Sequence, residues 1–346
     1  MKVFLLFCML AFTAGCFSQA GYSWQAAVYS GNYISHRQYL VQPPHLQYGF
    51  SVELNKKTNG NKYWQFAHNY PQMGLLLMAN TLGDHQVYGE AISVLPYLEF
   101  NVLKSKAGVF QIKHGTGVAY VTRRYDAIKN PSNVILSTRI NATSILDFGY
   151  RFYLSEKCEL KAGANIHHIS NGGFTLPNRG ANTLAGYLAI SFYPGDKEIE
   201  VKKFDVIRPE KKMQYRIGTA IGFYDYQKNE GTVKVNAQFC AMAFYQHNTR
   251  FRTGGGTEIG FLNTIKPEPA IYAEEEVQFA NITTRYGFGY YLANKRPADE
   301  DFYSKIGLAY YPKFKGVIPK GFYIGSILKA HKFTAAHIEM LAGYAF

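Results

Sequence analysis

Past its first twenty residues the chain has no apolar run approaching the roughly 20 residues a membrane helix needs, so a helical membrane protein is excluded. Cysteine is scarce: of four, Cys8 and Cys16 lie in the opening segment, and Cys158 and Cys240 are too few for a disulfide framework. Acidic residues are outnumbered, with 24 Asp and Glu against 37 Lys and Arg and a net charge of +13. Lys2 is the one charge within the first twenty residues, so +12 remains beyond them. The ten histidines show no metal-ligand spacing, so neither a metal nor another cofactor is expected.

What is present begins with an export signal. Met1 and Lys2 precede an uncharged run from Val3 to Phe17, then Ser18-Gln19-Ala20, the pattern of a secretory signal peptide cleaved after Ala20. A lipoprotein site at Thr13-Ala14-Gly15-Cys16 fits less well, because Thr is unusual in the first position. Aromatic residues make up 16% of the chain and Tyr alone numbers 28, an excess that suits a barrel with aromatic girdles at two membrane interfaces. The basic balance calls for an anionic partner. For an exported chain that partner is phosphorylated lipid and not nucleic acid.

Apolar and polar residues alternate along most of the remainder, the period of a strand with unlike faces. Val235, Ala237, Phe239, Ala241 and Ala243 share one face, with Lys234, Asn236, Gln238 and Cys240 on the other. Ile338, Met340, Ala342, Tyr344 and Phe346 repeat the pattern, and an apolar strand ending on Phe resembles the terminal strand of bacterial outer-membrane barrels. Fifteen candidate strands run from 46–57 to 335–346, one of them at 62–68. Barrel strand numbers are even, so the expectation is an all-β, antiparallel transmembrane β-barrel of fourteen strands, within a range of twelve to sixteen, forming a single domain over 21–346. Turn signals at Asn59-Gly60 and Asn229-Glu230-Gly231 separate strands. The charged stretch 194–212 reads as a long loop of that one barrel. Eight strands precede it and would suffice to close alone, but the terminal Phe lies beyond it. Glu274-Glu275-Glu276 reads as a solvated loop and Gly254-Gly255-Gly256 as a turn.

The segment from Cys158 to Tyr193 reads as strand, loop and strand. Leu160, Ala162, Ala164, Ile166, His168 and Ser170 share the apolar face. His168 and Ser170, two residues apart, have α-carbons separated by roughly 6.5 to 7 Å, which lets the imidazole serve the hydroxyl as a general base. The glycines of the loop Asn171-Gly172-Gly173-Phe174-Thr175-Leu176-Pro177-Asn178-Arg179-Gly180-Ala181 allow backbone N–H groups to converge as an oxyanion hole. On the returning strand Asn182, Leu184, Gly186, Leu188, Ile190 and Phe192 form the apolar face, so Asn182 projects beside His168 and fixes its tautomer. His167 and Asp147 point into the lumen. A polar pair ending a lipid-facing stripe costs desolvation and makes sense where the substrate arrives through lipid.

His168-Ile169-Ser170-Asn171-Gly172-Gly173, continuing to Pro177-Asn178-Arg179-Gly180, resembles the H-x-S-N-x-G and P-N-x-G signature of the lipid A 3-O-deacylase (PagL-like) family. Those proteins are outer-membrane barrels with a serine-histidine-glutamate triad. The resemblance covers residues 139–194 and implies His168 as base, Ser170 as nucleophile, and Asn171, Gly173 and Asn178 in the oxyanion loop, in the outer membrane of a Gram-negative bacterium. The family's glutamate falls at Asn182. A serine-histidine-asparagine set twelve residues apart also resembles the outer-membrane phospholipases A, so phospholipid stands as the rival substrate to lipid A and lipopolysaccharide. A non-catalytic pore or scaffold is the reading from another class.

Overall fold

The computed structural model describes residues 20–35, 43–209, 212–225, 233–262, 267–293, 301–313, 321–331 and 334–346, and the alternating segments within them are strands. The first group is β1 (Tyr22–Tyr33), β2 (Gln47–Lys57), β3 (Gln72–Thr81), β4 (Glu90–Lys104), β5 (Gly108–Val121), β6 (Ile140–Tyr153), β7 (Cys158–Ser170) and β8 (Ala181–Phe192), with a one-turn helix α1 (Tyr63–Ala67) between β2 and β3. The second group is β9 (Met213–Asp225), β10 (Val233–Gln246), β11 (Phe251–Leu262), β12 (Pro267–Phe279), β13 (Ile282–Tyr291), β14 (Phe302–Tyr310), β15 (Phe322–His331) and β16 (Thr334–Ala345).

These strands close as two barrels of eight, which corrects the expected single barrel of fourteen. All pairings among the described residues are antiparallel and, apart from the two closures, join sequence neighbours. The first barrel is sealed by β1 against β8, from Trp24↔Phe192 to Tyr33↔Thr183. The second is sealed by β16 against β9, from Ile338↔Phe223 to Ala345↔Arg216. Sequence reading missed two strands, β12 and β1, and β1 decides how the first sheet closes, because once it covers β8 that sheet has no edge left for β9 to extend. The small and polar residues of β1, Ser30 and Gly31 among them, hid its alternation. The expected strand at 62–68 is instead α1 and its flanks. The turn expected at 229–231 and the leader through residue 19 lie outside the described residues.

Both barrels are inside out relative to a soluble protein. In the first, Glu53, Glu99, Lys113, Asp147, Arg151, Glu159 and Lys161 are buried in the lumen, whereas Val28, Leu75, Val94, Val118, Leu146, Phe148, Ile166, Leu188 and Ile190 are exposed outside. The buried charges pair. Glu53 accepts from the Lys113 ammonium at 2.6 Å and Glu99 from Arg151 at 2.6 Å and from Lys161, which also reaches Asp147 at 3.1 Å. Tyr187 and Tyr97 donate their hydroxyls to Asp147 at 2.8 Å and to Glu53 at 2.6 Å. An eight-stranded lumen is only wide enough for side chains to fill, and here ion pairs and tyrosines fill it. The interior faces of the second barrel repeat the scheme, with Lys305 paired to Glu258 and Glu339 and with Ile217, Phe239, Ile271, Ile306 and Ile324 exposed outside. A wall of this kind matches hydrocarbon and not water.

That scheme overturns two local expectations. Glu274, Glu275 and Glu276 lie within β12, where Glu274 and Glu276 face inward and meet Arg216, Arg252 and Arg285, while Glu275 faces out. A charge run reads as a loop only if the sheet's inner face is apolar, and here it is ionic. Gly254-Gly255-Gly256 lies within β11, where a β-carbon on Gly254 would overlap the Phe244 ring. The glycine makes room for a neighbouring strand's aromatic side chain.

The stretch from 194 has no helix or strand and runs across one end of the first barrel. Gly21 N–H donates to the Asp196 carbonyl at 2.8 Å and Lys202 N–H to the Asn59 carbonyl at 2.8 Å. The Lys197 ammonium enters the lumen mouth to meet buried Glu159 at 2.9 Å and lies over the Tyr153 and Tyr193 rings. Connections at this end are 58–71, which carries α1, and the short turns 105–107 and 154–157, whereas the opposite end carries 82–89, 122–139 and 171–180.

Candidate active site

Strand β7 alternates as expected. Glu159, Lys161, Asn165 and His167 are buried in the lumen, Ala164 and Ile166 are exposed on the wall, and His168 falls on the outer side, half-buried. The neighbouring strands present matching faces. In register, His168 lies opposite Asn182 on β8 and opposite Ser144 on β6, so one row across three strands reads Ser144, His168, Asn182. Ser170 lies opposite Ala142. His167, as expected, is inside, with its Nε2 2.8 Å from the Thr143 hydroxyl. Asp147 is inside as well, paired with Lys161.

The imidazole is oriented by its cross-strand neighbour. His168 Nδ1 lies 2.6 Å from Asn182 Oδ1. With that oxygen as acceptor, Nδ1 carries the proton and Nε2 is left as the acceptor a general base requires. Ser170 is buried. The Asn178 side-chain amide donates to Ser170 Oγ at 3.5 Å, and its oxygen accepts from the Asn171 backbone N–H at 3.3 Å. Asn178 thus ties the serine to the residue after it. One N–H donor, the Asn178 side-chain amide, stands at the serine, the kind of group that receives a developing oxyanion, while the Asn171 N–H is taken up by the Asn178 oxygen.

The loop reaches this shape through its glycines. Gly172 and Gly173 have φ of 68° and 85°, and Gly180 has φ of 71°, a region that L side chains avoid. Gly180 is also hemmed in by the site: a β-carbon there would sit 2.9 Å from His168 Cε1 and 3.5 Å from the Ser170 β-carbon. The last residue of the P-N-x-G element therefore lets the returning chain pass directly over the pair.

Sequence reading did not anticipate the support from the β5–β6 connection. The Ile135 carbonyl accepts the backbone N–H groups of both Arg179 and Gly180 at 3.0 Å. Ser137 Oγ accepts from the Asn171 side-chain amide at 2.9 Å. Asn133, fully buried, holds that connection in place: its amide donates to the Val87 carbonyl at 3.1 Å and its oxygen accepts from Leu136 N–H at 3.2 Å. Apart from the local Asn133–Leu136 bond, these contacts span sequence separations of about 34 to 46 residues and leave no local signal. Ser144, opposite His168, carried only the signal of a hydroxyl on an apolar stripe. Among the described residues no cluster of His, Cys, Asp and Glu has metal-binding geometry.

Comparison with known proteins divides the chain in the same place as the fold. No curated protein matches it. Solved structures that align with it include a TodX ΔS2S3 mutant monoaromatic hydrocarbon channel, at 10% identity over 95% of this chain and 90% of that one with a TM-score of 0.19. Another is the outer membrane protein Omp33 of Acinetobacter baumannii, at 7% identity over 94% and 97% with a TM-score of 0.18. A third is a triple mutant of the Rhodopseudomonas blastica porin, at 10% identity over 94% and 100% with a TM-score of 0.20. Likeness at that level bears on neither fold nor activity. Residues 46–191, running from the start of β2 to the end of β8, match the model of the family described as lipid A 3-O-deacylase (PagL), a match confined to the first barrel.

Proposed function

We propose that the first barrel is a serine esterase of the Gram-negative outer membrane that removes an ester-linked acyl chain from lipid A, with Ser170 as nucleophile, His168 as base and Asn182 as its orienter. The carrying observation is the His168 to Asn182 contact of 2.6 Å on the lipid-facing side of the wall, with Ser170 two residues along the same strand. Ser170 gives its proton to His168 Nε2 as its oxygen attacks the ester carbonyl. Charge gathering on the carbonyl oxygen is met by the Asn178 side-chain amide, which the Asn171 N–H holds in place through the Asn178 carbonyl oxygen. The alcohol leaves with the proton from His168, and water, deprotonated by the same imidazole, hydrolyses the acyl-serine. The site lies at the end with the longer connections, which in bacterial barrels faces outside the cell, and lipid A is the lipid of that leaflet.

Asn182 also favours a second reading, a phospholipase A, since asparagine in place of glutamate leaves the imidazolium with a neutral partner. A pore finds no support in either lumen, because both are occupied by paired charges. The deciding experiment is mass spectrometry of lipid A and phospholipid pools after incubation with the purified protein and with Ser170→Ala. Loss of one acyl chain from lipid A with the intact protein alone is the expected result, and turnover by the Ser170→Ala variant refutes the mechanism.

A further inference from the structure

We propose that Arg139 binds a phosphate on the head group of the acylated substrate and so sets how the lipid enters the site. This rests on the esterase reading and adds to it the residue that recognises the charged end of the lipid. Arg139 directly precedes β6, and its guanidinium is exposed and turned to the outer face. There Nη1 donates to the Tyr120 hydroxyl at 3.1 Å and to the Thr122 carbonyl at 3.1 Å. Those two acceptors fix the plane of the fork. Its remaining donors, Nε and Nη2, have no protein partner among the described residues, which leaves a planar pair of N–H groups of the kind that grips a phosphate.

Its height on the wall fits that use. Ala142 faces Ser170 across β6 and β7, and Arg139 lies three residues further toward the loop end, roughly 10 Å along the strand. Tyr120, opposite Ile140, is half-exposed beside it, as an aromatic residue at a membrane interface would be. An ester held at Ser170 on the apolar wall places its phosphorylated head about where the guanidinium waits. The surrounding charge is favourable. The connection 122–139 carries Arg123, Arg124, Lys129 and Arg139 against the single carboxylate of Asp126, whose oxygen already accepts from the backbone N–H groups of Ile128 and Lys129. The other carboxylate nearby, Glu90, accepts from the Thr122 hydroxyl and pairs with His85.

The test uses the full chain in a Ser170→Ala background, so that binding is read without turnover. Affinity for phosphorylated lipid A and for the same lipid stripped of phosphate is compared with and without Arg139→Ala and Arg139→Lys, in detergent, with heat-modifiable migration confirming closed barrels. Removing the arginine is expected to weaken binding of the phosphorylated lipid about 10-fold, the scale of a hydrogen bond to a charged group. The stripped lipid should bind as before, and lysine, lacking the fork, should restore only part of the loss. Equal affinity of the arginine and alanine forms for the phosphorylated lipid overturns the proposal, as does an equal loss for both lipids. Competition by inorganic phosphate without any preference between the two lipids also overturns it, since the site would then be one for the free anion. Failure of the esterase reading shows separately, as an absence of fatty-acid release by the chain with Ser170 intact.

Discussion

His168 Nδ1 and Asn182 Oδ1 lie 2.6 Å apart across directly opposed positions of β7 and β8. The contact belongs to a sheet register and not to a loop, so Asn182 is held as firmly as the barrel wall. Asn182→Ala is expected to lower the turnover number about 100-fold with little change in KM, because the base loses its tautomer control and not its substrate. Asn182→Glu restores a carboxylate to the same position and is expected to hold or raise turnover. In each active form the rate should fall on acidification, since only the neutral imidazole accepts the serine proton. Steady-state hydrolysis of a soluble acyl ester measures all three, and an unchanged rate in Asn182→Ala removes Asn182 from the mechanism.

Gly180 offers a test of the loop. A β-carbon there meets His168 and Ser170 while the backbone keeps φ of 71°, a strain on the order of 1–3 kcal/mol. Gly180→Ala is expected to lose most esterase activity while the barrel still migrates as a folded species. Retention of full activity shows that the chain passes over the pair less closely than described.

The lumen of the first barrel predicts a large stability effect away from the chemistry. Glu99 joins Arg151 and Lys161, and Glu99→Gln leaves those cations without their shared carboxylate. Breaking one partner out of a buried pair costs about 3–5 kcal/mol, which urea unfolding in detergent micelles would read as a lower midpoint. A substitution on the outer wall, Leu188→Ala, is expected to move it far less.

Closure of β1 on β8 predicts independence. A chain ending at residue 209 retains every strand pair of the first barrel and the stretch that crosses its end. Refolded into detergent, it is expected to show heat-modifiable migration and the esterase rate of the full chain. An aggregated or inactive product shows that the second barrel is needed for the first.

The alternation of residues made strands, their outward apolar faces and the place of the His168, Ser170 and Asn182 side chains legible, because a strand's period of two is local and survives in any barrel. The same locality hid β1, whose small residues blur the two faces, and β12, whose inward carboxylates looked like a solvated run. Both become strands only when something distant answers them: β8 supplies hydrogen bonds to the first, and Arg216, Arg252 and Arg285 supply charge to the second. The number of barrels was settled by tertiary structure alone, since closure depends on whether the first and eighth strands find each other. So was the brace of Asn133, Ile135 and Ser137 behind the site loop, which is made by backbone and amide contacts from another hairpin. Sequence by itself determined which residues face outward from the strands and that His168 and Asn182 stand side by side among them. The closing of the sheets decided how many walls there are and what holds that pair still, because hydrogen bonds between remote strands carry no signature in either strand.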